Sequence, residues 1–163
     1  MTIMRVSLVG SSLSEKQKET MANRLIEAFA QVEVGHAAPE VKNGFLVLFE
    51  QLGRTDLWMG QRPMADATKS GKAAVVSAHV MAGPWNPAMK GELFAAIEGV
   101  VREVAEMPRV GNGSDFWMTF VEIPEGSWGL GGRSVSIEDL APVFAPDRQQ
   151  RIEQHLAGLR VRS

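Results

Sequence analysis

The chain has 163 residues, of which 45% are hydrophobic and 22% are charged, and its formal net charge is −2. This composition is typical of one globular domain, and so small a charge does not favour DNA, RNA or an anionic membrane surface as a partner. The absence of cysteine excludes disulfides, thiol nucleophiles and thiolate metal ligands. The sequence shows neither a signal-peptide pattern nor an apolar run of the ~20 residues that span a bilayer, so we expect a cytoplasmic protein.

The first half of the chain predicts a strand, a helix and a second strand. Loose alternation of apolar and polar residues predicts a strand over residues 1–9, which a glycine ends. Apolar residues at helical spacing predict a helix from the N-cap Ser14 to about residue 33. The dense apolar run Phe45–Leu52 predicts a buried strand, and a turn-rich segment containing Trp58 follows it.

The same pattern then restarts after a small, polar join at residues 66–72. Residues 73–82 predict a strand, and Pro87 begins a second amphipathic helix, because proline suits a first helical turn. A further strand is predicted over residues 116–123, and a glycine-rich turn follows it. Residues 147–159 predict a short C-terminal helix.

Equivalent residues in the two halves lie 71 to 73 positions apart, which indicates an internal duplication. The pairs are Gly10 with Gly83, Lys18 with Lys90, Met21 with Leu93, Leu25 with Ile97, Phe45 with Phe116, and Phe49 with Phe120. We predict a single α/β domain over residues 1–163, made of two pseudo-repeats (1–65 and 73–135) and a C-terminal extension (136–163). Two tandem β-α-β units would form a four-stranded mixed sheet with both helices on one face. Few elements remain to cover the other, apolar face, so we expect a homo-oligomer.

Two stretches of the sequence resemble the 4-oxalocrotonate tautomerases. They are residues 14–20, SEKQKET, at the start of the first helix, and residues 121–132, VEIPEGSWGLGG, at a strand and its closing hairpin. The duplicated length is most similar to the fused branch of the tautomerase superfamily, near the cis-3-chloroacrylic acid dehalogenases. This resemblance implies the β-α-β tautomerase fold, a homotrimer, and a keto–enol isomerase acting on a small ligand that contains a carboxylate.

The chemistry of that family depends on an amino-terminal proline that acts as a general base or acid. Alignment at Gly10 places Met1 at the position of this proline, so the sequence lacks it. Because Thr2 is small, we expect removal of Met1, which leaves a primary α-amine that titrates at about pH 7.7–8.0. The amine of Thr2 could take a proton α to a carbonyl or form an imine, and its hydroxyl could be a nucleophile. The alternative is an ordinary first strand with a free end.

Five further residues are candidates for the site. Glu122 matches the strand carboxylate that activates water in dehalogenase-like members, and the alternative is an ion pair on the surface. Trp128 matches the family's hairpin aromatic; Trp58 and Trp128 could wall a small apolar pocket or pack within an interface. Arg62 and Arg133 recur at the same offset in the two copies and are candidate carboxylate anchors, because arginine binds carboxylates through two hydrogen bonds. Exposed surface arginines are the alternative.

Two functions remain open at this stage. One is an isomerase or hydratase-like enzyme that transfers protons on a small enol or keto acid. The other is a catalytically silent trimer of the same fold, which binds a small molecule or is structural. The three histidines lack the spacing of metal ligands, and the glycine run at residues 129–132 lacks the lysine and helix of a phosphate loop, so we expect no metal and no cofactor.

Overall fold

The computed structural model describes residues 2–109 and 113–160, so Met1 and its expected removal lie outside the described residues. The strands are β1 (Thr2–Val9), β2 (Phe45–Leu52), β3 (Trp58–Met59), β4 (Arg62–Pro63), β5 (Ala73–Met81), β6 (Phe116–Ile123), β7 (Gly129–Leu130) and β8 (Arg133–Ser134). The helices are α1 (Glu15–Glu33), α2 (Pro39–Lys42), α3 (Met64–Ala67), α4 (Pro87–Val104), α5 (Ile137–Leu140) and α6 (Pro146–Arg160), with a 3-10 turn at Ala141–Val143.

Both long helices begin at side chains that satisfy their first backbone N–H groups. The Ser14 hydroxyl accepts a hydrogen bond from the Gln17 backbone N–H, and the Gln17 side chain accepts one from the Ser14 N–H at 3.0 Å, which forms a capping box. At α4, the Asn86 side chain accepts a hydrogen bond from the Met89 N–H at 2.9 Å, and Pro87 occupies the first turn. The predicted starts of both helices are confirmed.

Four strands form one mixed sheet in the order β2-β1-β5-β6, which confirms the predicted architecture. Strand β1 pairs in parallel with β2, and β5 in parallel with β6, while β1 and β5 are antiparallel. The two β-α-β units therefore point in opposite directions. Strand β1 begins at the end of the sheet where β5 and β6 finish. We call this end of the sheet the near end, and we call the opposite end the far end.

Helices α1 and α4 pack side by side on one face of the sheet, as predicted. Alternate residues of the two central strands point toward them, since side chains of a strand alternate between faces. The fully buried residues of this layer include Met4, Val6, Val76, Ala78, Val80, Leu25, Phe29, Leu93 and Ile97. This layer is the main core of the domain.

The other face of the sheet, which we call the open face, carries large apolar side chains that one chain leaves uncovered. Leu46 and Leu48 of β2 are 59% and 43% exposed, and Trp117 and Val121 of β6 are 54% and 39% exposed. Monomeric soluble proteins rarely expose contiguous apolar patches of more than a few hundred Å². The outer strands β2 and β6 thus carry uncovered apolar side chains, as the sequence predicted, but the central strand β1 places Arg5 on the same face, where it pairs with Glu50 at 3.5 Å.

A buried ion pair joins the end of α4 to the start of β6. Arg102 donates two hydrogen bonds to Asp115, at 2.9 and 2.8 Å, and a third to the Pro108 carbonyl at 3.1 Å. Asp115 is fully buried and the Arg102 side chain is 6% exposed. The pair ties the end of α4 to Pro108 and to the residue that precedes β6.

The residues from α5 to α6, which we call the C-terminal segment, cover the near end of the helix layer. The Ala145 N–H donates to the Val34 carbonyl at 2.8 Å, and a His36 ring nitrogen lies 2.9 Å from the Val143 carbonyl. Ile152 of α6 is only 1% exposed. The sequence predicted a helix over residues 147–159 but not α5. Within the described residues, no helix has the length and apolar character needed to cross a membrane.

Candidate functional site

Thr2 begins β1 at the near end, where it meets the last residue of α1. Its hydroxyl donates a hydrogen bond to Glu33 Oε2 at 3.0 Å, and its backbone N–H donates to the Gly44 carbonyl at 3.2 Å. Thr2 is 1% exposed and Glu33 is 7% exposed. A nucleophilic role for the Thr2 hydroxyl therefore requires a reactant to reach a buried group whose proton is engaged by a carboxylate.

Glu33 is a residue of the site that the sequence analysis missed. It continues the row formed by Met21, Leu25 and Phe29, because residues four apart lie on the same side of a helix. That row is fully buried against the sheet, so its last member also points inward. A carboxylate in register with an apolar stripe is the sequence signal that could have identified Glu33.

The environment of Glu33 changes how readily its carboxyl ionises. Burial raises the pKa of Glu33 above its ordinary value, because a charged carboxylate loses its hydration. The positive charge of the amino terminus and the hydrogen bond from Thr2 oppose this shift. A carboxyl with a raised pKa is suited to accept and return protons nearer neutral pH than an exposed glutamate.

Glu33 lines a pocket between α1, the loop after β5 and the C-terminal segment, which we call the Glu33 pocket. Its walls are mostly apolar and include Trp85, Ile137 and Phe144. About 20 Å³ of its interior is open to the centre of a water molecule, which is room for about one water. In this arrangement, the pocket is closed to an organic acid.

Arg148 of α6 also lines the Glu33 pocket, and the sequence analysis did not select it. Its Nη1 donates to the neighbouring Asp147 at 2.9 Å. Its Nε is buried and has no hydrogen-bond partner among the described residues. No sequence pattern identifies this arginine, since only the docking of α6 brings it to the pocket.

Glu122 lies near the end of β6, and it pairs with a lysine. Lys90 Nζ is 2.6 Å from Glu122 Oε1, and both side chains are about one-third exposed. Thr2 is paired with Val80, which is paired with Glu122, so two strand spacings, roughly 10 Å, separate the backbones of Thr2 and Glu122. Glu122 thus forms the ion pair that the sequence left as the alternative, although at the same end of the sheet as Thr2.

Trp128 and Arg133 belong to the hairpin at the near end. Trp128 lines an open pocket of about 330 Å³ together with Ile3 and His79, which we call the Trp128 pocket. The side chains of Ile3 and His79 alternate away from the helices, so this pocket opens on the open face. Arg133 is exposed on β8.

Trp58 and Arg62 lie in the other hairpin, at the far end. Trp58 is 57% exposed and its ring N–H donates to the Thr55 carbonyl at 2.7 Å, and Arg62 is exposed. Because the two repeats run in opposite directions, their equivalent hairpins lie at opposite ends of the sheet. The structure therefore does not bring Trp58 together with Trp128, or Arg62 with Arg133, in one pocket of one chain.

The histidines are dispersed over the fold. His36 contacts the C-terminal segment, His79 lines the Trp128 pocket, and His155 lies on α6. Over residues 2–109 and 113–160, no three histidine, aspartate or glutamate side chains come together as metal ligands.

Comparison with known proteins identifies the fold. Neither a family model nor a curated protein sequence matches the chain. Solved structures do match it: native fused 4-OT is 23% identical, with 81% of this chain and 94% of that chain covered and a TM-score of 0.64. A fused 4-OT described as a symmetric trimer is 17% identical, with coverage of 85% and 98% and a TM-score of 0.64. N1, a member of the cis-3-chloroacrylic acid dehalogenase family, is 18% identical, with coverage of 93% and 99% and a TM-score of 0.66.

At these identities the likeness establishes the fold. The chain has the β-α-β tautomerase fold in the duplicated form seen in the fused 4-OT structures, and the predicted resemblance is confirmed.

Proposed function

We propose that this protein transfers protons on a small enol or keto acid, as an isomerase or hydratase-like enzyme whose site lies at the near end of the sheet. The observation that carries this proposal is the buried pair of Thr2 and Glu33, joined by a 3.0 Å hydrogen bond. The fold neighbours, among them fused 4-OT and a dehalogenase-family member, support the same class of chemistry. In the family that the sequence resembles, the start of the first strand carries the catalytic amine.

The proposed reaction needs a base and an acid close together. In a mature chain that begins at Thr2, the α-amine would stand beside Glu33 and take the proton of an enol hydroxyl. The enol C=C bond becomes a C–C bond as the C=O bond forms, and the carbon takes a proton from neutral Glu33. The proton on the amine then passes to the Glu33 carboxylate, so atoms and charge balance. Glu122, held by Lys90, is the proposed second proton or water handler.

The carboxylate of the substrate needs a positive partner at the same end of the sheet. Of the two arginines that the sequence predicts as anchors, Arg133 lies at the near end and Arg62 at the far end. Trp128, in the same hairpin region as Arg133, would pack against the apolar part of the substrate. Because Arg62 and Trp58 lie at the far end, they would bind substrate only at a site that the near end of another chain completes.

We further propose that three chains associate through their open faces. The exposed apolar side chains Leu48, Trp117 and Val121 support this proposal, as do the fused 4-OT neighbours described as trimers. Burying these side chains would stabilise the assembly by about 25 cal/mol for each Å² of apolar surface that is removed from water.

A second candidate function is a catalytically silent trimer that binds a small molecule or is structural. Three observations favour it. Lys90 already neutralises Glu122, and the Glu33 pocket has room for about one water. The backbone nitrogen of Thr2 is also engaged, at 3.2 Å, by the Gly44 carbonyl.

One assay separates the two candidates. The conversion of phenylenolpyruvate to its keto form is followed in buffer, with the wild-type protein, and with protein whose α-amine has been carbamylated, after intact-mass measurement of the mature N-terminus. The enzyme proposal predicts a rate above buffer that carbamylation abolishes. A rate equal to buffer, or one that carbamylation leaves unchanged, contradicts it. Under the silent-trimer proposal, only a variant with proline at the mature N-terminus gains activity.

A further inference from the structure

The Glu33 pocket contains one polar group that neither the fold nor the proposed proton transfer uses. Arg148 of α6 lines the pocket, and its Nε is buried without a hydrogen-bond partner in the described part of the chain. A buried N–H without a partner is costly, and such groups are rare in folded proteins. We propose that Arg148 is the anchor that binds the substrate carboxylate in this pocket, an inference that rests on the proposed function and gives the ligand class for its site.

The geometry of the guanidinium suits this role. Asp147 accepts its hydrogen bond from Nη1, which leaves the opposite edge, formed by Nε and Nη2, to face a ligand. That edge presents two parallel N–H groups, the arrangement that a carboxylate accepts through both of its oxygens. Arg148 therefore has a bidentate edge available even though one of its nitrogens is already paired.

The remaining lining matches a small acid with an apolar body. Trp85, Ile137 and Phe144 supply apolar walls, and Glu33 supplies the proton-transfer group. Burial raises the pKa of Glu33, which favours its neutral form and reduces repulsion between Glu33 and a bound carboxylate. By contrast, Arg133 lies on an exposed hairpin and does not line the pocket.

The ligand must displace part of the C-terminal segment, because the closed pocket has room for about one water. Polar contacts join this segment to neighbouring elements near the pocket. Among the described residues they include Ala145 N–H to the Val34 carbonyl at 2.8 Å, His36 to the Val143 carbonyl at 2.9 Å, Ile137 N–H to Glu125 at 3.2 Å, and Arg151 Nη1 to Met89 Sδ at 3.4 Å. Opening the segment and reclosing it over the ligand would bring Arg148 onto the carboxylate.

Calorimetric titration with phenylpyruvate and with phenylacetone, which lacks the carboxylate, tests the inference. For Arg148→Gln we expect the dissociation constant of phenylpyruvate to rise about tenfold or more, because a charge-assisted contact is lost. The same variant should leave binding of phenylacetone unchanged, and Arg54→Gln, a control at an exposed arginine that pairs with Asp66, should change phenylpyruvate binding less than about twofold. An unchanged affinity for phenylpyruvate in Arg148→Gln, or equal weakening of both ligands, overturns the inference.

Two further measurements keep the test decisive. If Arg148→Gln unfolds, Arg148→Lys replaces it, since lysine retains the charge but lacks the two-pronged edge; it should also weaken phenylpyruvate selectively. Hydrogen exchange of the Ala145 amide should slow when phenylpyruvate saturates the wild-type protein, and unchanged exchange contradicts closure. Wild-type protein that binds phenylpyruvate through Arg148 but does not convert phenylenolpyruvate would refute the proposed activity alone, whereas an absence of binding refutes the anchor.

Discussion

Replacing Glu33 by glutamine should change how the stability of the protein depends on pH. Burial raises the pKa of Glu33 in the folded state, whereas the unfolded chain has the ordinary value of about 4.5. Between these two values the folded state binds more protons than the unfolded state, so stability falls as pH rises. The stability that neutral Glu33 contributes is fully present below its pKa in the unfolded chain. This stability is lost as pH rises through its pKa in the folded state. Glutamine does not titrate, and its carbonyl still accepts the hydrogen bond from Thr2.

The magnitude follows from the linkage between protons and folding. Between its pKa in the unfolded chain and its pKa in the folded state, one titrating group can change the free energy of unfolding by at most about 1.4 kcal/mol per pH unit. Glu33→Gln should therefore gain stability relative to the wild type as pH rises above about 4.5, with a slope no steeper than this limit. The difference should level off above the folded pKa.

Urea unfolding between pH 4 and 7, at one protomer concentration, measures this difference. The matched control is Glu103→Gln, because the hydrogen bond from exposed Arg24 lowers the pKa of Glu103. That control should show a weak trend of opposite sign, since stability from a lowered pKa is lost as pH falls. A Glu33→Gln difference that is flat or decreases with pH would refute the assignment of Glu33 as a buried carboxyl with a raised pKa.

Three other substitutions test the fold that positions the site. Arg102→Met leaves the buried carboxylate of Asp115 without its partner and should lower the free energy of unfolding by about 3–5 kcal/mol. The control Arg24→Met, at an exposed pair, should lower it by less than about 1 kcal/mol. Equal losses for the two variants in urea unfolding would contradict the importance of the buried pair. Gly10 has a φ of +69° and a Cβ there would lie 2.1 Å from the Gly71 carbonyl oxygen, so Gly10→Ala should cost more than about 2 kcal/mol in the same assay. A cost as small as ordinary surface substitutions would count against the close approach. Leu48→Lys should lower the mass of the proposed trimer in light scattering, and an unchanged mass would argue against the open face as the interface.

Much of the fold could be predicted because local patterns and the repeat agree. The apolar runs of β2 and β6 give the strands their observed bounds, and Ser14 marks the start of α1 through a cap that the sequence displays. The repeat gave the number of strands in the sheet. It did not give the relative direction of the two copies, because antiparallel pairing of β1 with β5 depends on contacts between residues far apart in the sequence, from Val9 with Ala73 to Thr2 with Val80.

That direction decides which candidate residues meet. The symmetry of Arg62 with Arg133 suggested equivalent roles, but the antiparallel pairing sends the two hairpins to opposite ends of the sheet. Glu33 could have been predicted from its register with the apolar stripe of α1. Arg148 could not, because its place depends on how a helix outside the repeat docks on the rest of the chain.

The rate of ketonisation of phenylenolpyruvate, compared between wild-type protein and Glu33→Gln, tests the central claim most directly. Because glutamine keeps the hydrogen bond to Thr2 and cannot exchange a proton, it removes the proposed chemistry with little change in shape. We expect catalysis above buffer in the wild type and a loss of about a hundredfold or more in kcat for the variant. Equal rates in the two proteins, with both above buffer, would contradict the claim that the buried pair at the near end transfers the proton.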